Sequence, residues 1–102
     1  MKRSSRLALL ILPMLVATAA QAQTTLGRNL AATCANCHGT NGHAKGEMKP
    51  LAGMAAEKLI AMVNDFKNGN QPASIMHQIA KGYTDEQIKL VAAYFAAQPT
   101  KK

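Results

Sequence analysis

The run Cys34-Ala35-Asn36-Cys37-His38 gathers both cysteines of the 102-residue chain and one of its three histidines into five residues. Thiols three residues apart near a helix end lie on one side of a single turn, and the next residue projects an imidazole beside them. Two thiols so held can add to the two vinyl groups of one haem while the imidazole faces the iron. That is the chemistry of a c-type haem attachment site. Rival chemistries ask for surroundings the sequence lacks. A C-x-x-C redox dithiol belongs at a helix start after a strand in a βαβ setting, and no strand-like alternation is present. A zinc cage needs about four ligands. Cys34, Cys37 and His38 with His43 or His77 supply the number, but consecutive Cys37 and His38 make a tetrahedral arrangement awkward. A disulfide across two intervening residues closes a small, strained ring.

A haem iron held by His38 has a second axial position, for which Met48, Met54, Met62, Met76, His43 and His77 are the candidates. Met62 falls on an apolar helical stripe and reads as core filler. His43 follows His38 by only five residues, too few to loop round to the opposite face. Met48 and Met54 flank Pro50, in a loop that packs along the side of His38 itself. Met76 stands 38 residues beyond His38, between helices, where the chain has room to cross over. His77 is the alternative, with Met76 as core. A thioether is soft and neutral and favours ferrous iron relative to a second imidazole, so a His38/Met76 pair implies a raised potential. It also leaves no open coordination site, and the protein then moves single electrons and is not an enzyme. The opposing reading is a five-coordinate haem enzyme or gas sensor, peroxidase-like, with Met76 off the iron. No distal Arg–His pair supports it, and the chain is short for a substrate pocket.

The elements that must position these groups read as helices throughout. Leu26, Leu30 and Cys34 recur at i, i+4, i+8, which predicts a first helix capped at Thr24 or Thr25 and running to Cys34. Four glycines and Pro50 between Gly39 and Gly53 predict a loop. Leu59, Met62, Val63 and Phe66 form one stripe of a helix over 55–68, with Glu57 and Lys67 suited to its dipole, Gly69 stopping it and no N-cap in sight. A short helical turn is expected from Ala73 to Ala80. The last helix carries a capping box, Thr84 with Gln87, then Asp85 and Glu86 in its first turn. Its core face is Ile88, Val91, Ala92 and Phe95, with Tyr94 at the flank and Pro99 beyond its end.

Ahead of these elements, residues 1–22 read as a signal peptide. Lys2, Arg3 and Arg6 give a basic start, an apolar run extends from Leu7 to Ala20, and Ala20-Gln21-Ala22 is a small-x-small cleavage pattern. The run holds 14 residues and Pro13, short of the roughly 20 that cross a bilayer. Arg3 and Arg6 are not adjacent, which favours the general secretory route to the periplasm over a twin-arginine route. Residues 23–102 then form one domain that does not span a membrane. There Lys and Arg fall from 12 to 9 against 5 Asp and Glu, so the net charge drops from +7 to +4. This basicity lacks the Lys/Arg stripe of a nucleic-acid binder, and export argues against that partner. Lys45, Lys49, Lys58, Lys67 and Lys81 are candidates to steer an acidic redox partner. With four aromatics and no Trp, a domain this small is expected to draw stability from its cofactor.

"CANCHGTNG", then Pro50-Leu51, then "ASIMHQIAKGYTDEQIKLVAAYFAAQ" together resemble the small class I cytochromes c of bacteria, over roughly residues 24–98. The resemblance implies an all-α fold of three to four helices around one covalent haem c. It implies that Pro50, 12 residues after His38, offers its carbonyl to the imidazole Nδ1–H, and it independently puts the axial methionine at Met76. Leu30, Leu51, Leu59, Ile75, Ile79, Tyr94 and Phe95 are the candidate haem-packing residues. Within the family, the segment from Asp65 to Gln98 looks most like the cytochrome subunit of flavocytochrome c sulfide dehydrogenase, which implies a flavoprotein partner. A free carrier feeding a terminal oxidase is the other expectation.

Overall fold

The structure, a computed structural model, describes the backbone of residues 4–100 and side chains from residue 17 onward. The basic start expected of a signal peptide, at Lys2 and Arg3, therefore lies outside the described residues, as does the Arg6 side chain. Five α-helices follow one another: α1 (Ser4–Ala31), α2 (Ala35–His38), α3 (Ala56–Asn68), α4 (Met76–Lys81) and α5 (Asp85–Ala96). Single 3-10 turns at Ala32–Cys34 and Thr40–Gly42 flank α2, and the described residues contain no strand. The all-α expectation holds among the described residues.

The start of the first helix differs from the expectation. Thr24 and Thr25 sit inside α1, where their hydroxyls donate to the carbonyls of Ala20 and Gln21, each at 3.0 Å. A threonine caps only when the residues before it leave helical geometry. In the full-length chain residues 4–23 are themselves helical, so both hydroxyls bond back one turn; a chain that begins at Gln23 would lack that preceding turn. The far end also stops earlier than Cys34: the α-helix closes at Ala31 and tightens into the 3-10 turn that carries Cys34. Leu26, read as sharing a face with Leu30 and Cys34, is 48% exposed, and Gly27 is the first buried residue of α1 among the described side chains.

That meeting is the crossing of α1 and α5. Gly27 is buried at the crossing, and a Cβ built on it would stand 2.8 Å from the Leu90 carbonyl oxygen. Ala31, one turn on, packs into the central cluster with Leu59, Val91, Ala92 and Phe95. The stripe read for α5 is all buried: Ile88, Val91, Ala92 and Phe95. Burying a side chain such as Phe95 or Val91 contributes about 1.5–3 kcal/mol each. The capping box forms in full, with Thr84 accepting from the Gln87 N–H and the Gln87 side chain accepting from the Thr84 N–H.

α3 begins one residue later than read, without a side-chain cap, and ends on Gly69 at φ 81°. Glycine takes that left-handed conformation without steric cost, and the Gly69 and Asn70 N–H groups reach back to the carbonyls of Phe66 and Asp65. α4 starts at Met76 rather than Ala73, since Ile75 at φ −141° is not yet helical. Lys67 does more than favour the dipole of α3. Its ammonium donates to the Tyr83 carbonyl at 2.7 Å, while the Tyr83 hydroxyl donates to the Leu30 carbonyl at 3.0 Å. The α4–α5 corner is thereby tied to both α3 and α1.

Replacing glycine by alanine inside a helix ordinarily stabilises it by about 1 kcal/mol. At Gly27 the methyl meets backbone that cannot swing away, and overpacking of this kind costs about 1–3 kcal/mol. Gly27→Ala is therefore expected to lower the denaturation midpoint. An unchanged or raised midpoint in urea would show that α1 and α5 do not cross this closely.

Candidate haem site

Cys34 ends the 3-10 turn and Cys37 and His38 end the one-turn helix α2. Gly39 then turns the chain at φ 84°, and a Cβ there would stand 2.1 Å from the His43 carbonyl oxygen. Only glycine allows the loop to fold back so tightly after the imidazole. Both cysteines are free thiols, Cys34 half-buried and Cys37 exposed. Burial pushes the Cys34 thiol above the usual cysteine range, partly offset by a backbone hydrogen bond.

His38 is oriented by the returning loop. Its Nδ1 lies 2.7 Å from the Lys49 carbonyl oxygen. A carbonyl only accepts, so Nδ1 carries the proton and Nε2 keeps its lone pair for a metal. The expected partner was the carbonyl of Pro50, and the structure moves the bond one residue earlier. The residue before a proline is held in extended backbone, so the Pro50 ring restricts the peptide that carries the accepting oxygen. Pro50 acts on His38 through Lys49, and it does not line the cleft beside His38.

That cleft holds a cavity of about 240 Å³, a little below the ~300–1,000 Å³ of ligand sites in general. Cys34, Cys37, His38, Leu51 and Met76 all border it. Of the packing candidates, Leu59, Ile75, Ile79 and Phe95 line it as well, whereas Leu30 and Tyr94 do not. Met62, Val63 and Phe66 of α3 complete one wall, and Met48 and Met54 another. The sequence reading rejected the last two as ligands and expected their loop to pack along the side of His38, where they border the cleft.

The position of Met76 relative to His77 is informative. Successive helical residues point about 100° apart. Met76 faces the cleft, while His77 borders a separate, shallow concavity with Lys67 and Lys81. Nδ1 of His77 is buried without a hydrogen-bond partner. His43 is likewise turned away, with Nε2 donating to the Pro99 carbonyl at 2.7 Å. Among the described residues no three His, Cys, Asp or Glu side chains converge so as to hold a metal ion, which leaves the zinc reading without a cage. The donor set fits haem c: two thiols, one imidazole nitrogen with a free lone pair and the thioethers of Met48, Met54, Met62 and Met76 border the same apolar slot.

Known proteins agree with this chemistry. The family model described as cytochrome c oxidase, cbb3-type, subunit III, matches residues 21–95. The cytochrome subunit of sulfide dehydrogenase from Chlorobaculum tepidum is 41% identical over 69 residues, covering 68% of this chain and 63% of that one. Cytochrome c-554(548) of Halomonas halodenitrificans is 33% identical over 76 residues, covering 71% of this chain and 92% of the relative. Cytochrome c4 of Acidithiobacillus ferrooxidans, a solved structure, superposes with a TM-score of 0.70 at 32% identity, covering 74% of this chain and 50% of that one. The chain thus spans somewhat under two thirds of the sulfide dehydrogenase subunit and half of the c4 protein. The relatives are electron-transfer cytochromes or cytochrome subunits of dehydrogenases. With a family match across most of its length and a cleft bordered by Cys34, Cys37, His38 and Met76, the chain belongs to the class I c-type cytochromes, electron carriers whose cofactor is haem c.

Proposed function

We propose that the chain is a periplasmic mono-haem cytochrome that passes single electrons between redox partners, with His38 and Met76 as the axial ligands. The observation that carries this reading is that Met76 and His38 border the same apolar cleft while His77 and His43 face away from it. Haem bound there supplies a one-electron iron couple. Cys34 and Cys37 would hold it by thioether bonds, one haem per chain. His38 presents Nε2 with its tautomer set by the Lys49 carbonyl. Leu59, Phe66, Ile79 and Phe95 keep water from the slot, which strengthens electrostatic control of the iron by its ligands.

Residues 1–22 act as the export leader in this reading, removed after Ala22. Among the described residues no helix is long and apolar enough to cross a membrane. The 41% identity to the Chlorobaculum tepidum subunit favours service as the electron-accepting subunit of a sulfide-oxidising flavoprotein complex. The likeness to cytochrome c-554(548) over 92% of that protein favours a free carrier. Reduction of the purified cytochrome by a sulfide-oxidising flavoprotein, in a stable complex with it, supports the first. Behaviour as a lone monomer reduced without such a partner supports the second.

Met76→Ala is expected to abolish the weak long-wavelength ferric band of thioether-ligated haem and to lower the potential by roughly 0.1 V or more, within the ~0.8 V span that axial ligands command. An unchanged spectrum and potential would remove Met76 from the iron, and rapid carbon monoxide binding by the reduced wild-type protein would favour the five-coordinate alternative. The covalent tether is checked separately. On a denaturing gel, haem should stay with the wild-type chain and with either single Cys→Ala variant, and leave the Cys34→Ala/Cys37→Ala chain. Haem retained by the double variant would overturn thioether attachment.

A further inference from the structure

The loop that supplies the Lys49 carbonyl is fastened to the C-terminal end of the chain at three points. The Gly53 N–H donates to the Phe95 carbonyl at 2.9 Å, the Tyr94 hydroxyl donates to Asn41 Oδ1, and His43 Nε2 donates to the Pro99 carbonyl at 2.7 Å. Pro99 lies just past α5 and 56 residues from His43, so this bond ties the proximal loop to the chain terminus. Next to His43 is Gly42, whose carbonyl accepts from the N–H groups of Ala44, Leu51 and Ala52. Leu51 and Ala52 lie two and three residues beyond Lys49. A continuous bonded path therefore runs from Pro99 through His43 and Gly42 to the peptide that holds His38.

From this path we propose that His43 is a positioning residue for the axial histidine. By gripping the Pro99 carbonyl it holds the loop closed, so that the Lys49 carbonyl stays on His38 Nδ1 and the donor strength of Nε2 is fixed. The proposal rests on His38 being the iron ligand. His43 touches neither the cleft nor His38. It acts through backbone, from the opposite side of the loop.

The physical sign follows from the bond it protects. A hydrogen bond accepted from Nδ1–H makes Nε2 a better donor, and a better donor favours ferric iron. Loosening the loop weakens that bond, so losing His43 raises the potential. Two of the three fastenings remain in such a variant, so the loop stays in place but opens more often. The Nδ1 proton of His38 then meets solvent more often.

The test compares holoprotein with His43→Ala and His43→Gln. The glutamine amide keeps an N–H donor at similar reach, so it restores the grip that alanine lacks. Redox titration of His43→Ala should show the ferrous form favoured about threefold to tenfold more, up to ~59 mV for a one-electron couple. Proton NMR should show His38 Nδ1–H exchanging at least about tenfold faster, with His43→Gln returning both readouts most of the way. A His43→Ala protein with wild-type potential and exchange rate overturns the proposal, as does a His43→Gln protein as perturbed as His43→Ala. If His43→Ala fails to retain a folded haem protein, His43→Gln decides alone: wild-type values support the role, and equal failure overturns it. Failure of the underlying ligand assignment looks different, because the wild-type protein itself would then lack a His38 signal coupled to iron.

Discussion

The structure turns on the seam where the end of α5 meets the loop after α2. Phe95 is 1% exposed, stands within the central cluster, and also borders the cleft. Its ring lies against Gly42, where an added Cβ would come 2.9 Å from the ring edge, and its carbonyl accepts from Gly53. One residue therefore seals the core, shapes the slot and orders the loop that orients His38. Gly42 has no freedom to grow, since a Cβ would also stand 2.6 Å from the Ala52 nitrogen, and its φ of 79° suits glycine alone. The electronic behaviour of the site thus depends on packing between segments more than fifty residues apart.

Local chemistry was the part most legible in the residues. The Thr84–Gln87 box names its own structure because both partners sit three residues apart, whatever the rest of the chain does. The attachment motif is local for the same reason, and Gly69 announces the end of α3 by a conformation other residues avoid. Choosing Met76 over the other methionines used chain length and family pattern together, for Met48, Met54 and Met62 border the same cleft.

What escaped the sequence depended on context beyond a few residues. Thr24 and Thr25 carry the chemistry of caps, yet a cap exists only where the preceding residues are not helical, and here they are. The Lys49 carbonyl accepts the hydrogen bond from His38 Nδ1–H because of where a loop with several positive-φ residues points its peptide planes. A shift of one residue in such a loop exchanges one carbonyl for its neighbour without altering composition or spacing. Pairings such as Tyr94 with Asn41 and His43 with Pro99 join residues more than fifty apart, and a single sequence carries no local trace of them.

The crossing of α1 and α5 has a consequence for how the molecule comes into being. Its first and last helices are each other's main support, through Gly27 against Leu90 and Ala31 against Val91, Ala92 and Phe95. Contacts between chain ends carry the largest loop-closure entropy a sequence can pose. A growing or threading chain holds the first partner long before the second arrives, so tertiary structure must wait for the final segment. Until α5 is in hand, α1 lacks the surface against which Gly27 and Ala31 pack.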